Sequence, residues 1–250
     1  MNFLKELLPI KLREIEDLKK NPPQFKPAFK RASFKKALTK KKSVHLIGEI
    51  KFHSPSRGFL TDESIIPEIL PIYNRYMSAI SVLTDEHFFK GSFQYLNRLT
   101  DQTTLPLLAK DFFLDPFQID LAKRAGASAI LLIAKLLKAQ DLQMLYKTAQ
   151  DQGLDVLVEI HDEADLEKAL NLDSEIIGIN HRNLENLEID LKTTHRLRPL
   201  IPKNKIVVAE SGIRNRLDIE GLLPINAALI GTSLMTTEDP LSLIKSLCKV

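Results

Sequence analysis

Val156-Leu157-Val158-Glu159-Ile160-His161-Asp162 contains an apolar run, a carboxylate set into it and an aspartate close behind. From Val156 to Ile160 the apolar positions are near-continuous and do not alternate, which suits a strand buried on both faces of a parallel sheet. Asp162 then precedes a helical stripe of Leu166 and Leu170, so the unit reads as strand followed by helix. Seven further runs repeat the strand: Val44 to Ile50, Ala79 to Leu83, Leu105 to Ala109, Ala129 to Ile133, Ile176 to Ile179, Ile206 to Ala209 and Ala227 to Ile230.

The gaps between runs carry helix signals. Asp115-Pro116 with Gln118 has the spacing of a capping box, and Asp239-Pro240 precedes Leu241, Ile244 and Leu247. Gly126 closes the helix that begins near Asp115, and Gly153 closes one over 141–152. Eight strand-helix units predict an α/β fold, a TIM (β/α)8 barrel over residues 43–250, and no polar linker divides the chain into separate domains. Residues 1–42 form an N-terminal helical extension. In it Leu4, Leu7, Leu8, Leu12, Ile15 and Leu18 share one helical face, and Pro22-Pro23 ends the helix. That stripe is expected to cover one mouth of the barrel or a partner chain.

Of 250 residues 44% are hydrophobic, which supports one large core. No apolar stretch is long enough to cross a bilayer, and the start Met1-Asn2-Phe3-Leu4-Lys5-Glu6 lacks the core of a signal peptide, so a cytoplasmic protein is expected. The single cysteine, Cys248, forms no internal disulfide and is expected to pack on the apolar face of the last helix. The net charge of +3 is uneven: residues 1–42 hold 13 Lys and Arg against 4 Asp and Glu. No aromatic or Arg-rich recognition pattern accompanies this basic arm, so it reads as solvated helix faces that add positive potential, not as a nucleic-acid site.

In such a barrel the strands' C-terminal ends face the substrate. The residues there are Glu49, Lys51, Lys110, Glu159, Asn180, Arg182, Glu210, Ser211, Gly231 and Thr232. Buried strands that break off at charges point to an enzyme. Two glycine turns, Glu210-Ser211-Gly212-Ile213 and Ile230-Gly231-Thr232-Ser233, follow the last two strands, where backbone amides can approach a phosphate closely. A phosphorylated small-molecule substrate is expected. The six histidines have no metal-ligand spacing, and there is no Gly-x-Gly-x-x-Gly run, phosphate-binding Walker loop or Gly-x-Ser-x-Gly elbow. Neither metal nor nucleotide cofactor is expected.

The run Ile47-Gly48-Glu49-Ile50-Lys51-Phe52-His53-Ser54-Pro55-Ser56-Arg57-Gly58 resembles the signature of indole-3-glycerol phosphate synthases. The resemblance continues through Ile80 to Asp85, Phe89-Lys90-Gly91-Ser92, Lys110-Asp111-Phe112, Val158 to His161, Gly178-Ile179-Asn180 with Arg182-Asn183-Leu184, Glu210 to Ile213, and Leu229-Ile230-Gly231 with Ser233-Leu234-Met235. It covers essentially the whole chain, extension included. The departures are His53, His181 and the segment 222–226.

The resemblance implies ring closure of 1-(2-carboxyphenylamino)-1-deoxyribulose 5-phosphate with loss of CO2 and water, a decarboxylating lyase step of tryptophan biosynthesis that needs no cofactor. It implies catalytic roles for Glu49, Lys51, Lys110, Glu159, Asn180 and Ser211. Lys110 would be the acid at the ketone and Lys51 the partner of the substrate carboxylate, while the choice of residues for dehydration stays open. It further implies substrate binding by Ser54, Phe89, Arg182, Gly212, Gly231 and Thr232. A monomer or weak oligomer is expected, with association to other enzymes of the pathway. Two rivals remain: an isomerase barrel of the phosphoribosylanthranilate type, separated by a product assay, and a non-catalytic RNA-binding scaffold, separated by a salt-dependent RNA shift without turnover.

Overall fold

The computed structural model describes residues 3–27, 32–39 and 44–248. Met1, and Lys30, Arg31 and Lys40 to Lys42 of the basic arm, lie outside them. Eight parallel strands close into a barrel: β1 (His45–Ile50), β2 (Ala79–Leu83), β3 (Leu107–Lys110), β4 (Ala129–Ile133), β5 (Asp155–Ile160), β6 (Ile176–Asn180), β7 (Ile206–Glu210) and β8 (Ala227–Ile230). Each pairs with the next, and β8 returns to β1 with Ala227 opposite His45. A helix follows every strand, from Ile66–Tyr76 to Pro240–Leu247.

Local chemistry sets the helix ends. Asp115 and Gln118 form the expected capping box with Pro116 in the first turn, and Gly126 ends that helix at φ 94°. Asp162 caps the Glu163–Asn171 helix by accepting from the Asp165 amide, and Asp239 caps the last helix through Ser242. Two apolar layers result. Ile47, Leu108, Leu131, Leu157, Val208 and Leu229 belong to the packing of the barrel interior, while Val82, Leu132, Val158 and Ala209 pack against the helices.

The chain's first segment packs against both mouths. Ser33 Oγ and the Lys35 amide donate to Asp155 at the start of β5, which seats the short helix Phe34–Ala37 against the N-terminal mouth. The helix Phe3–Lys20 instead lies at the C-terminal mouth: Phe3 packs edge-on to Phe88, with ring centroids 5.0 Å apart, and its amide donates to Glu185.

Two sequence expectations need correction. The inward face of the first helix is Phe3, Leu7, Lys11 and Ile15, while Leu8 and Leu12 are exposed. The helix turns this way because the Lys11 ammonium, fully buried, is the counter-ion of Asp85 and Asp111 behind β2 and β3 and also meets Glu14 at 2.6 Å. Cys248 is exposed rather than packed: it is the cap residue that follows the helix, outside the face that Ile244 and Leu247 bury.

Candidate active site

The ladder runs one residue past the predicted ends of three strands, so Lys110, Asn180 and Glu210 sit on fixed backbone. Leu83 pairs with Lys110, Ile133 with Glu159 and Asn180 with Glu210. Side chains from β1, β3, β5 and β7 therefore meet over one mouth. Lys51 Nζ lies 2.6 Å from Glu49 Oε1, and Lys110 Nζ lies 3.2 Å from Glu49 Oε2 while donating to Glu210 Oε2 at 2.9 Å. Missing side chains make the room for these carboxylates. A Cβ on Gly231 would stand 2.1 Å from Glu49 Oε1, and one on Gly178 would stand 2.2 Å from Glu210 Oε1.

Charge distributes unevenly in this set. Burial alone would raise the Glu49 carboxyl, but Lys110 and Lys51 pull it down to about 2. Burial dominates at Glu210 and, with repulsion from Glu159, outweighs Lys110 to push it up to about 7. Lys110 is raised: three carboxylates overcome the cost of burying its charge. Glu159 is lowered against its own burial by His161, Lys110 and Asn180.

A cavity of about 450 Å³ opens above the cluster. All twelve residues singled out from the sequence line it: Glu49, Lys51, Lys110, Glu159, Asn180, Ser211, Ser54, Phe89, Arg182, Gly212, Gly231 and Thr232. Phe89 stands half-buried beside Phe112, centroids 6.2 Å apart. Asn180 Oδ1 accepts the Arg182 amide, and Arg182 Nη1 donates to the Leu187 carbonyl. Ser211 and Gly212 are both left-handed, φ 68° and 80°. His181, one of the family departures, braces that turn: its ring bridges the Ser211 carbonyl at 2.8 Å and the Thr194 hydroxyl at 2.7 Å. Burial lowers the His181 pKa, which suits a neutral ring that donates from Nδ1 and accepts at Nε2. Ser54 Oγ is buried without a hydrogen-bond partner at the edge of the same cavity.

Residues 4–247 match the family model described as indole-3-glycerol phosphate synthase. The chain belongs to the indole-3-glycerol phosphate synthase family. It is 44% identical to the indole-3-glycerol phosphate synthase of Nautilia profundicola over 209 residues, 82% of this chain and 81% of that one. Identity to the Campylobacter jejuni synthase (strain 81-176) is 43% over 224 residues, 88% and 87% of the two chains. The Helicobacter pylori tryptophan biosynthesis protein TrpCF is 38% identical over 242 residues; the match takes up 95% of this chain and 53% of that protein. Among solved structures, 3-keto-L-gulonate-6-phosphate decarboxylase from Vibrio cholerae superposes with a TM-score of 0.64 at 14% identity, covering 82% of this chain and 96% of that one, a likeness of fold alone. Indole-3-glycerol phosphate synthases are decarboxylating lyases of tryptophan biosynthesis, and that is the activity of this chain.

Sequence reading placed Glu210 at the rim of this synthase barrel without giving it a task, although it ends an apolar run as Glu159 nearly does. It also missed Phe3 and Arg214, which line the cavity, and the contact of His161 with Glu159. The extension contributes Phe3 through a helix whose pose no local pattern specifies. Glu14, Asp85 and Asp111 bring carboxylate oxygens within 4.8 Å of one another, but the Lys11 ammonium contacts all three and supplies the counter-charge.

Proposed function

We propose a division of labour among the rim residues in closing the indole ring of 1-(2-carboxyphenylamino)-1-deoxyribulose 5-phosphate. Ser54, Gly212, Gly231 and Thr232 hold the phosphate; the unpartnered Ser54 hydroxyl and the left-handed turn at Ser211 and Gly212, all lining the cavity, favour an anion there. Phe89 faces the aromatic ring, Lys51 pairs with its carboxylate, and Arg182 with Asn180 and Ser211 holds the ribulose chain. That arrangement keeps the ring carbon near the ketone.

Bond formation between ring carbon and ketone carbon drives the carbonyl electrons onto oxygen, and Lys110, kept cationic by Glu210 and Glu49, donates a proton to that oxygen. The ring–carboxylate bond then breaks, CO2 leaves, and its electron pair restores aromaticity. Dehydration removes a proton from carbon and expels hydroxide as water. Glu159 is the base of this last step. Glu49 is committed to two ammonium groups and held near 2, whereas among the described residues no lysine lies at ion-pair distance from Glu159, whose Oε1 faces the His161 ring without a hydrogen bond. Lys51, beside Glu49, is the acid that assists hydroxide.

The meeting of Lys110 with Glu49 and Glu210 carries this reading. Lys110→Ala is expected to keep the fold by circular dichroism and to lose turnover by a factor of about 10²–10⁴, the range of a general acid; near-parental turnover would remove Lys110 from its role. The barrel and its extension work as one unit, as a monomer or weak oligomer in the cytoplasm, and the TrpCF fusion favours association with other enzymes of the pathway. Among the described residues no helix is long and apolar enough to cross a membrane.

A further inference from the structure

His161 does not line the cavity, yet its ring sits directly behind Glu159. Nε2 is 3.2 Å from Glu159 Oε1, and Nδ1 is 3.4 Å from Asp165 Oδ2. These are ion-pair distances and not aligned hydrogen bonds, since neither ring nitrogen has a hydrogen-bond partner. The backbone of His161 is pinned on both sides: its amide donates to Asp165 Oδ2 at 3.1 Å, and its carbonyl accepts from Arg196 Nη2. Asp165 is itself fixed in the first turn of its helix, its amide held by the Asp162 cap. Glu159, the imidazole and Asp165 thus form a buried row running from the reaction cavity to a helix N-terminus.

We propose that His161, backed by Asp165, is a positioning residue that holds the Glu159 carboxylate in place and supplies the counter-charge that keeps it ionised. A carboxylate buried as deeply as Glu159 is driven toward its protonated form, in which it cannot take a proton from carbon. Lys110 faces it from β3 but is already shared between Glu49 and Glu210. The imidazolium is therefore the one cation that contacts Glu159 directly among the described residues. Other charged groups around the ring are Asp162 at the cap, Lys168 at 3.9 Å from Asp165, and Arg196, whose guanidinium pairs with Glu163. Burial opposes charge on the ring, but Asp165 and Glu159 outweigh it and raise its pKa to about 9.

This inference rests on Glu159 being the base of dehydration. The test compares pH profiles of kcat and KM for the parental enzyme, His161→Gln and Glu159→Gln, together with ring titration of His161 by nitrogen-15 NMR in the unliganded protein. His161→Gln is expected to move the acidic limb of kcat up by about one unit or more, which is tenfold or more in rate on that limb. Activity should return toward parental at alkaline pH, with KM changed less than threefold. The ring should be doubly protonated at pH 7.5 in the parental protein and titrate lower in Glu159→Gln. Where His161→Gln does not fold, Asp165→Asn gives the same readouts. A loss equal at every pH, or a ring that titrates alike with and without Glu159, overturns the proposal. Parental turnover in Glu159→Gln overturns the assignment of the base instead, while the ring titration still reports on the pair.

Discussion

Glu159 and Glu49 are the same chemical group under the influence of the same lysine, and only their neighbours separate their tasks. Glu49 is shared by two ammonium groups, whereas Glu159 is ion-paired, among the described residues, only with the His161 ring behind it. Glu159→Gln should therefore uncouple the reaction. In a single turnover CO2 is released while indole absorbance fails to appear, and simultaneous loss of both products would contradict the assignment. His161 also leaves a mark on stability. Its pKa rises from the ordinary 6.5 to about 9 on folding, so its contribution is fully present below about pH 6.5 and is lost as pH climbs through 9. The fall in melting temperature that His161 contributes over that interval should be absent in His161→Gln. Gly231→Ala is a steric counterpart: its methyl would meet the Glu49 carboxylate at 2.1 Å, and turnover should drop at least tenfold with the fold retained.

The strands and caps follow from local pattern, and the first helix does not. Continuous apolar runs, Asp115 with Gln118, Asp162 and Gly126 all encode their elements within a few residues, which is why the barrel was legible in the sequence. The rotation of the Phe3–Lys20 helix is encoded by Lys11 reaching Asp85 and Asp111, more than seventy residues away, and leucine spacing alone finds Leu7 and Ile15 but adds Leu8 and Leu12, which are exposed, and leaves out Lys11. For the same reason periodicity could not foresee that Phe3 would line the cavity. Lys11→Met should cost about 3–5 kcal/mol, the range for breaking one side of a buried ion pair, measured by urea unfolding at pH 8. Burial and Asp85 already raise Asp111 against the pull of Lys11, so without Lys11 its proton uptake should shrink the deficit as pH falls. A deficit independent of pH would mean that lost packing, not charge, is responsible.

The whole molecule works as a ring of converging groups. Barrel closure sets amines and carboxylates from β1, β3, β5 and β7 around one opening, and the last two strands add the glycine turns beside it. The candidate site could be read from the sequence to this extent because in a closed parallel barrel every strand's end faces the same side. Pairings within the ring, such as Lys110 with Glu210, depend on shear and side-chain reach and could not be read from spacing. Inorganic phosphate should compete with substrate at the glycine turns, raising apparent KM without changing kcat; noncompetitive or absent inhibition would argue for a different anchor. The most direct measurement is the appearance of indole-3-glycerol phosphate fluorescence when the purified chain meets 1-(2-carboxyphenylamino)-1-deoxyribulose 5-phosphate in the presence of chelator and without nucleotide. Product with one CO2 released per ring closed is the expected result, and an isomerised or unchanged substrate would contradict it.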